Sequence, residues 1–522
     1  MSACTAHQRP EFIAERSLRG LNADARQKAL VQALTEAEQA TLSGLGTTES
    51  RQRYNAAVSS AVKLWVAVSK DERGKPLVCE QGGKSFTLQA SWPKKVVFDT
   101  LIDAHDIKAR EMKRRITREG VGEPFVAWWK YTDERAAKEP LMASAGYLSP
   151  LTATITFSKG SNGKQTAMLV LHDPRSVKEV RLAGASRPLA EDITAVGEFL
   201  LSRSEVRMSG LGALLRSGKN LDKLGLIALE RPDPDRVPVV LVHGLMSRPA
   251  TWQNVVNELW SDPKLQHTTQ FYFFRYPTGV PVIYSAAKLR EKLGVLHREL
   301  NANGVSPGSR EMVLIGHSMG GLVSKAQVQN SGDKLWVNVF GSTPDRLNLS
   351  QDEINALRAY LEYKPNPYVS RVIFVATPHR GSSLAAGTLG AIGRRLVNLP
   401  NNIMSDAVSM MQGEAPEHGP LADMLHHGVP TSIDNLSPTS KFVQTSISLP
   451  LRPGLHIHSI IGNKKQKPLN DPACSDGFVP YTSAHLDGVE SEKIVPYGHS
   501  AHEHPMAVDE IRRILHEHVG SL

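Results

Sequence analysis

Two hydrophobic patterns follow one another along the first half of the chain. Between residues 22 and 68, alanine-rich segments place apolar residues at helical spacing, which predicts two helices. From about residue 75, the short runs FTLQASW, FVAWWKY, LTATITF and AMLVLHD alternate with turn residues and predict strands. RPLAEDITAVGEFLLSR (187–203) then predicts a helix. We therefore expect a helical segment at 1–70 and a mixed, β-rich region at 71–225, together an α+β extension.

The pattern changes again after residue 238. Short, almost wholly apolar runs now alternate with helical segments: VVLVHG (239–244), FYFFRYP (271–277), MVLIG (312–316), RVIFVATP (371–378), IHSIIG (457–462) and KIVPY (493–497). Such strands are typical of a parallel sheet that is buried on both faces by helices. Residues 226–522 are therefore predicted to be one α/β domain. Few strand signals occur at 384–440, which predicts an insertion whose methionines suit either a lid or core packing.

The composition of the chain argues against several classes of function. The chain has 522 residues, of which 41% are hydrophobic and 22% charged, and its net charge of +9 is modest for this length. The densest basic run, DIKAREMKRRITREG, also contains acidic residues and is more typical of a solvated helix face than of a nucleic-acid site. No zinc-finger spacing and no Walker loop occur, and three cysteines cannot build a disulfide-rich scaffold. No nucleic-acid partner is expected.

The first residues, MSACTAHQ, have two interpretations. Cys4 follows small residues, as the lipid-bearing cysteine of a bacterial lipoprotein signal does, but a charged segment and an apolar segment before it are missing. If Cys4 belongs to a truncated signal of this kind, a lipid anchor on the bacterial cell envelope is expected. If the cysteine is incidental to a frayed tail, the chain is expected in the cytoplasm.

The strongest chemical signal is EMVLIGHSMGGLVSKAQVQ, in which Gly316-His317-Ser318-Met319-Gly320 follows an apolar run and opens a helical segment. This is the context of a nucleophile elbow, where a serine lies on a sharp turn between strand and helix. Side chains at the two glycine positions would collide with neighbouring backbone. A serine hydroxyl also needs a base, an acid that orients the base, and backbone donors for the oxyanion. In this arrangement the acid and the histidine follow the serine in the chain.

From Pro238 onwards the chain resembles the α/β-hydrolase superfamily, specifically its lipase-like serine esterase branch. Weaker motifs extend the resemblance back to about residue 70. The segments that carry the resemblance are VVLVHGLMSRPATW, YPTG, GHSMGG, VATPHRGS, SDGFVP and GHSAHEHP. They are similar to segments of uncharacterised bacterial α/β-hydrolase lipoproteins, triacylglycerol lipases and GPI-inositol deacylases. The resemblance implies that the backbone N–H groups of Leu245 and Met319 form the oxyanion hole. His243, before the serine, is expected to shape its loop, and His379 is interpreted as a structural residue.

Asp476 is the predicted acid, because CSDGFVP follows a predicted strand and Asp-Gly in this setting is frequent in the acid loop of this fold. Asp471 and Asp487 are alternatives. Asp471 precedes a proline-containing turn, and Asp487 lies further along in HLDG.

Three histidines compete for the role of base in VPYGHSAHEHPMAV. His499 is favoured because it follows the last predicted strand closely, and His502 stays an alternative base. His504 directly precedes Pro505, a residue preferred in the first turn of a helix, and is predicted at the helix N-terminus. A zinc site formed by these histidines is disfavoured because their spacing of three and two is not that of ligands on one helix or strand.

Together these residues predict an α/β-hydrolase fold and a serine hydrolase that cleaves carboxylic, lipid-like esters. Ser318, His499 and Asp476 would form the triad, and neither a cofactor nor a metal is expected. The partner would be a small-molecule or lipid ester. Two alternatives stay open: an acyltransferase that uses the same triad, and a non-catalytic envelope scaffold.

Overall fold

The computed structural model describes residues 22–67, 72–108, 112–159, 165–203, 224–302, 304–382 and 435–522. The chain divides into two units, one of residues 1–136 and 143–204 and the other of residues 137–142 and 205–522. Cys4 and nearly all of the predicted insertion at 384–440 lie outside the described residues. The three-part division expected from the sequence stays a prediction. No helix within the described ranges combines the length and the apolar character that a membrane crossing needs.

In the first unit a pair of helices packs against a mixed sheet. Its helices are α1 (Ala23–Leu42), α2 (Thr48–Val66) and α4 (Thr194–Arg203), and α3 (Asp133–Lys138) spans the boundary between the units along the chain. Asn22 and Thr47 cap α1 and α2 by accepting backbone N–H groups, as N-cap residues do. Both helices share one hydrophobic core with the sheet, in which Leu34, Tyr54 and Phe86 are fully buried.

The sheet of the first unit has six strands in the order β1-β2-β7-β6-β5-β3, with β2 and β7 parallel and the other pairs antiparallel. The strands of the unit are β1 (Leu77–Gln81), β2 (Lys84–Ser91), β3 (Thr100–Asp103), β4 (Thr117–Arg118), β5 (Glu123–Trp129), β6 (Tyr147–Lys159), β7 (Gln165–His172), β8 (Glu179–Leu182), β9 (Ala185–Pro188) and β10 (Glu191–Asp192). The four predicted runs therefore all form strands.

The predicted helix at 187–203 is wrong in its first half. Residues 185–188 and 191–192 form β9 and β10, and the helix begins only at Thr194. Glu191 and Asp192 are buried, and they pair with Arg118 (2.8 Å) and Arg115 (2.5 Å). These two ion pairs join residues more than 70 positions apart, so a local hydrophobic pattern could not reveal them.

The second unit contains a seven-stranded sheet in the order β11-β13-β12-β14-β15-β16-β17. Its strands are β11 (Gly225–Ala228), β12 (Val237–Val242), β13 (Thr269–Arg275), β14 (Met312–His317), β15 (Val369–Val375), β16 (His456–Gly462) and β17 (Ser491–Val495). Only β11 runs antiparallel to its neighbour. Every residue of β12 and β14 is buried, as expected for strands covered on both faces. The predicted mostly parallel α/β sheet is confirmed.

Helices connect these strands. They are α5 (Gln253–Trp260), α6 (Pro263–Thr268), α7 (Val282–Leu300), α8 (Met319–Lys325), α9 (Lys334–Phe340), α10 (Gln351–Leu361), α11 (Lys441–Ser448), α12 (Tyr481–Ala484) and α13 (Pro505–Gly520). From β12 the chain continues to β13 on one side and then returns to β14 on the other side. Open α/β sheets bind ligands at the carboxyl ends of the strands that flank such a reversal, here β12 and β14.

A buried cation lies near the opposite end of the sheet. The Arg371 side chain is 2% exposed, and its Nη1 lies 3.3 Å from Glu517, 3.5 Å from Glu490 and 2.5 Å from Nε2 of His458. Because the guanidinium group only donates, His458 Nε2 accepts, and the Nδ1–H group donates to Ser491 Oγ at 2.9 Å. Burial and the adjacent Arg371 lower the pKa of His458 to about 4.

The neutral state of His458 predicts an acid-sensitive fold. In the unfolded chain this imidazole binds a proton below about pH 6.5, whereas in the folded chain it does so only near pH 4. The neutral imidazole therefore contributes about 1–3 kcal/mol to the free energy of unfolding. This contribution is fully present above pH 6.5 and is lost as the pH falls to 4. Urea unfolding at several pH values should show a flatter acid dependence for His458→Gln, which keeps an acceptor for Arg371. Exposed His267→Gln is the control, and equal slopes for wild type and His458→Gln would contradict the prediction.

Candidate functional site

Ser318 lies on a strained turn at the carboxyl end of β14, where α8 begins. Its φ of 54° and ψ of −125° are unusual for a residue with a side chain, and such conformations cost about 1–3 kcal/mol. The flanking glycines make the turn sterically feasible. A Cβ at Gly316 would lie 2.6 Å from Gly320 O, and one at Gly320 would lie 2.3 Å from Val242 O. The glycine spacing in the sequence follows from these two contacts.

The structure brings Ser318, His499 and Asp476 together. His499 Nε2 lies 2.8 Å from Ser318 Oγ, and His499 Nδ1 lies 2.7 Å from Asp476 Oδ2. The carboxylate only accepts, so Nδ1 carries the proton and Nε2 is left to accept the serine hydroxyl proton. This hydrogen-bonded order is that of a nucleophile, its base and the group that orients the base.

Asp476 is held by the turn that follows it. Its Oδ1 accepts the backbone N–H groups of Phe478 (2.8 Å) and Val479 (2.7 Å), and its side chain is 1% exposed. The carboxyl end of β16 approaches closely behind it, since a Cβ at Gly462 would lie 2.7 Å from Asp476 Cβ. The carboxylate therefore has both its position and its orientation set before the imidazole donates to it.

The other two candidate acids have different partners. Asp471 accepts the N–H group of Ala473 in its own turn at 2.8 Å. Asp487 is 87% exposed and lies 3.1 Å from His485. Among the described contacts, neither carboxylate reaches His499.

The three histidines of the C-terminal segment have three different sets of hydrogen-bond partners. His502 is buried, and its Nε2 lies 3.0 Å from Thr251 Oγ1 instead of facing Ser318. His504 caps α13, with Nδ1 accepting the N–H group of Met506 at 3.3 Å, so its predicted place at the helix N-terminus is confirmed. The three rings therefore do not converge on one ligand position.

Two other groups of metal-ligating side chains occur among the described residues, namely Asp103, His105 and Glu123, and His458, Glu490 and Glu517. In each group a cation already approaches the carboxylates. Lys63 Nζ lies 3.0 Å from Asp103, and Arg371 lies against both glutamates. We assign neither group to a metal.

The loop after β12 passes beside the nucleophile. A Cβ at Gly244 would lie 2.9 Å from Ser318 Cβ, so Leu245 follows a point of close approach. Met319 occupies the first turn of α8, where backbone N–H groups lack intrahelical acceptors. These are the two N–H groups that the resemblance implies for the oxyanion hole.

Two residues of the YPTG segment hold this loop, and pattern analysis gave them no role. Tyr276 donates its hydroxyl to His243 O at 2.6 Å, and Met246 donates its N–H to Thr278 Oγ1 at 3.2 Å. The ring of His243 stacks on Tyr276 with centroids 4.4 Å apart. Burial lowers the pKa of His243 to about 4, so this ring stays neutral near the nucleophile. Two signals pointed to this segment, namely its place among the segments that carry the resemblance and its position at the carboxyl end of β13.

His379 is buried in the loop after β15. Its ring meets Phe374 edge-on, with centroids 4.7 Å apart, and neither ring nitrogen has a hydrogen-bond partner among the described residues. Burial and the nearby Lys325 and Arg380 lower the pKa of His379 well below its usual value. The ring thus packs as a neutral, largely apolar group.

We found no protein-family model and no curated protein that matches the chain. Solved structures that resemble it include lipase BlEst2 of Bacillus licheniformis in its mature form, with 20% identity over 56% of this chain and 94% of that one and a TM-score of 0.30. A metagenomic carboxyl esterase has 15% identity over 55% and 77% of the two chains, with a TM-score of 0.30. Esterase B of Lactobacillus rhamnosis has 14% identity over 56% and 78%, also with a TM-score of 0.30. Likenesses this weak carry no argument about function, which rests on the geometry of the site.

Because Asp476 contacts His499 and the other two candidate acids do not, we expect only Asp476 to control the reactivity of Ser318. Asp476→Asn should slow the labelling of Ser318 by a fluorophosphonate about 10²–10⁴-fold, because the amide favours the wrong imidazole tautomer. Asp471→Asn and Asp487→Asn are matched controls and should label at the wild-type rate. Mass spectrometry of the labelled peptide gives the rate, and slow labelling of either control would contradict the assignment of the acid.

Proposed function

We propose that the protein is a serine hydrolase that cleaves carboxylic esters of a lipid-like kind through Ser318, His499 and Asp476. The observation that supports this function best is the continuous hydrogen-bonded series from Ser318 Oγ through both ring nitrogens of His499 to a buried carboxylate. No cofactor takes part in the proposed reaction.

In the first half of the reaction, Ser318 Oγ attacks the ester carbonyl carbon while its proton passes to His499 Nε2. The carbonyl oxygen becomes an oxyanion, which the N–H groups of Leu245 and Met319 stabilise. When the tetrahedral intermediate breaks down, the leaving alcohol takes the proton from Nε2, and an acyl-enzyme is left. Asp476 keeps the ring oriented and stabilises the charge that the ring carries between the two transfers.

In the second half, water takes the place of the alcohol. His499 Nε2 accepts a proton from the water as its oxygen attacks the acyl carbonyl carbon, and then returns the proton to Ser318 Oγ. The carboxylic acid leaves, and the resting state is restored. An alcohol in place of water would give acyl transfer by the same steps, so the product formed in the presence of glycerol distinguishes the two reactions.

Replacing the nucleophile and the two rival histidines tests this assignment. Ser318→Ala should abolish both p-nitrophenyl ester turnover and fluorophosphonate labelling. His499→Ala should lower kcat by about 10³–10⁴-fold, since general-base catalysis is lost. His502→Gln, which retains hydrogen-bonding groups facing Thr251, should keep most of its turnover. A folded wild-type protein that the probe does not label would contradict the hydrolase and favour a scaffold.

Exposed apolar side chains near the base support a lipid-like ester. Phe478 is 43% exposed, and its ring lies 5.2 Å from that of His499. Tyr497, two residues before the base, is 41% exposed. Leaving large apolar groups exposed next to a reactive centre suits a substrate that brings apolar surface with it.

The contribution of Phe478 can be measured with esters of graded chain length. Phe478→Ser should lower kcat/KM for long-chain p-nitrophenyl esters about 5–30-fold more than for the acetate, because about 50–100 Å² of apolar contact is lost. Val337→Ser, which changes a 47% exposed apolar residue on α9, is the control and should leave the ratio of long-chain to short-chain activity unchanged. An equal loss on both esters would argue for short, soluble substrates.

A further inference from the structure

His317 immediately precedes the nucleophile Ser318 and has no role in the proposed reaction. It is the last residue of β14, and it is 6% exposed. Its Nε2 lies 2.8 Å from the backbone carbonyl oxygen of His499, 182 residues further along the chain. A carbonyl oxygen only accepts, so Nε2 of His317 carries the hydrogen and donates it.

The His317 ring also lies against the loop after β12 that carries Gly244 and Leu245 (the oxyanion loop). A Cβ at Gly244 would approach Nδ1 of His317 to 3.1 Å, and this nitrogen has no hydrogen-bond partner among the described residues. Burial and the neighbouring His502 and His499 lower the pKa of His317 well below its usual value. The ring is therefore neutral and has a single N–H donor. This donor points to the loop after β17 that carries His499 (the base loop).

A second buried ring supports the first from the side of the base loop. His502 lies 4.3 Å from His317, centroid to centroid, and Trp252 lies 5.0 Å from His502. His502 is also hydrogen-bonded to Thr251, in the 3₁₀ turn Pro249–Trp252 that follows the oxyanion loop. The rings thus fill the space between the base loop and the oxyanion loop and restrict movement of the His317 ring.

We propose that His317 is a positioning residue that holds the backbone of His499 at the distance from Ser318 that proton transfer requires. This inference rests on the proposed function. Ser318 and His317 are covalent neighbours, so a hydrogen bond from His317 to His499 O links the base to the nucleophile at a second point besides the Oγ–Nε2 contact. One neutral hydrogen bond stabilises the fold by only about 1 kcal/mol. A displacement of about 1 Å between reacting groups, however, can lower the rate roughly 10²-fold.

Replacing the donor tests the proposal. His317→Leu removes the N–H group at similar volume and should lower kcat for a p-nitrophenyl ester about 10–100-fold, with KM within about twofold of wild type. Fluorophosphonate labelling of Ser318 should slow by the same factor. His317→Gln presents an amide N–H at a similar reach and should recover kcat to within about fivefold of wild type. If His317→Leu does not fold, His317→Met, a flexible apolar replacement, should lower kcat by the same factor.

A matched control distinguishes a role of His317 in positioning His499 from a role in packing alone. Leu296→Ala changes a fully buried residue of α7 and should lower the Tm while kcat stays within about twofold of wild type. A folded His317→Leu variant with wild-type kcat would overturn the proposal, as would a His317→Gln variant no more active than His317→Leu. A wild-type protein that fails to label at Ser318 would instead contradict the proposed function. The two failures are therefore distinguishable.

Discussion

The close approach of β14, α8 and the loop after β12 is the constraint on which the candidate site depends. Ser318 has a left-handed φ of 54°, and backbone hydrogen bonds hold it there, from Ser318 N–H to Val375 O (2.8 Å) and from Gly321 N–H to Ser318 O (2.9 Å). The strain costs about 1–3 kcal/mol. Complete burial of β12 and β14 supplies the rigid framework that sustains it, since a closely packed interior yields little to local strain.

That constraint explains why the remaining groups come from strand ends. In a parallel sheet the carboxyl ends of neighbouring strands share one edge, so the loops after β12, β16 and β17 can all reach Ser318 at the end of β14. Asp476 follows β16, His499 follows β17, and Leu245 follows β12. Ser318 and His499, 181 positions apart in the chain, therefore meet at hydrogen-bonding distance. Asp476 is oriented by its own turn, through the two backbone N–H groups that donate to it.

Much of this arrangement could be predicted because it has local causes. The apolar strands, the glycines at 316 and 320, and the proline after His504 are each visible within a few residues. The start of α4 could not be predicted, because Glu191 and Asp192 are buried by distant arginines. The contacts of Tyr276, Thr278 and His317 were equally hidden, since each joins separate loops through a backbone atom or a single hydroxyl. Hydrophobic periodicity carries no information about such contacts.

The environments of the histidines determine where positive charge can form during the proposed reaction. Near Ser318, the rings of His243 and His317 are buried, and both pKa values are lowered by desolvation. The hydrogen bonds recorded for these two rings go to backbone carbonyl groups, which do not compensate a full charge. His499 instead faces the carboxylate of Asp476. Of these three rings, only His499 is therefore placed to stabilise a proton taken from Ser318. Because His243 and His317 stay neutral, they do not repel the imidazolium that forms on His499.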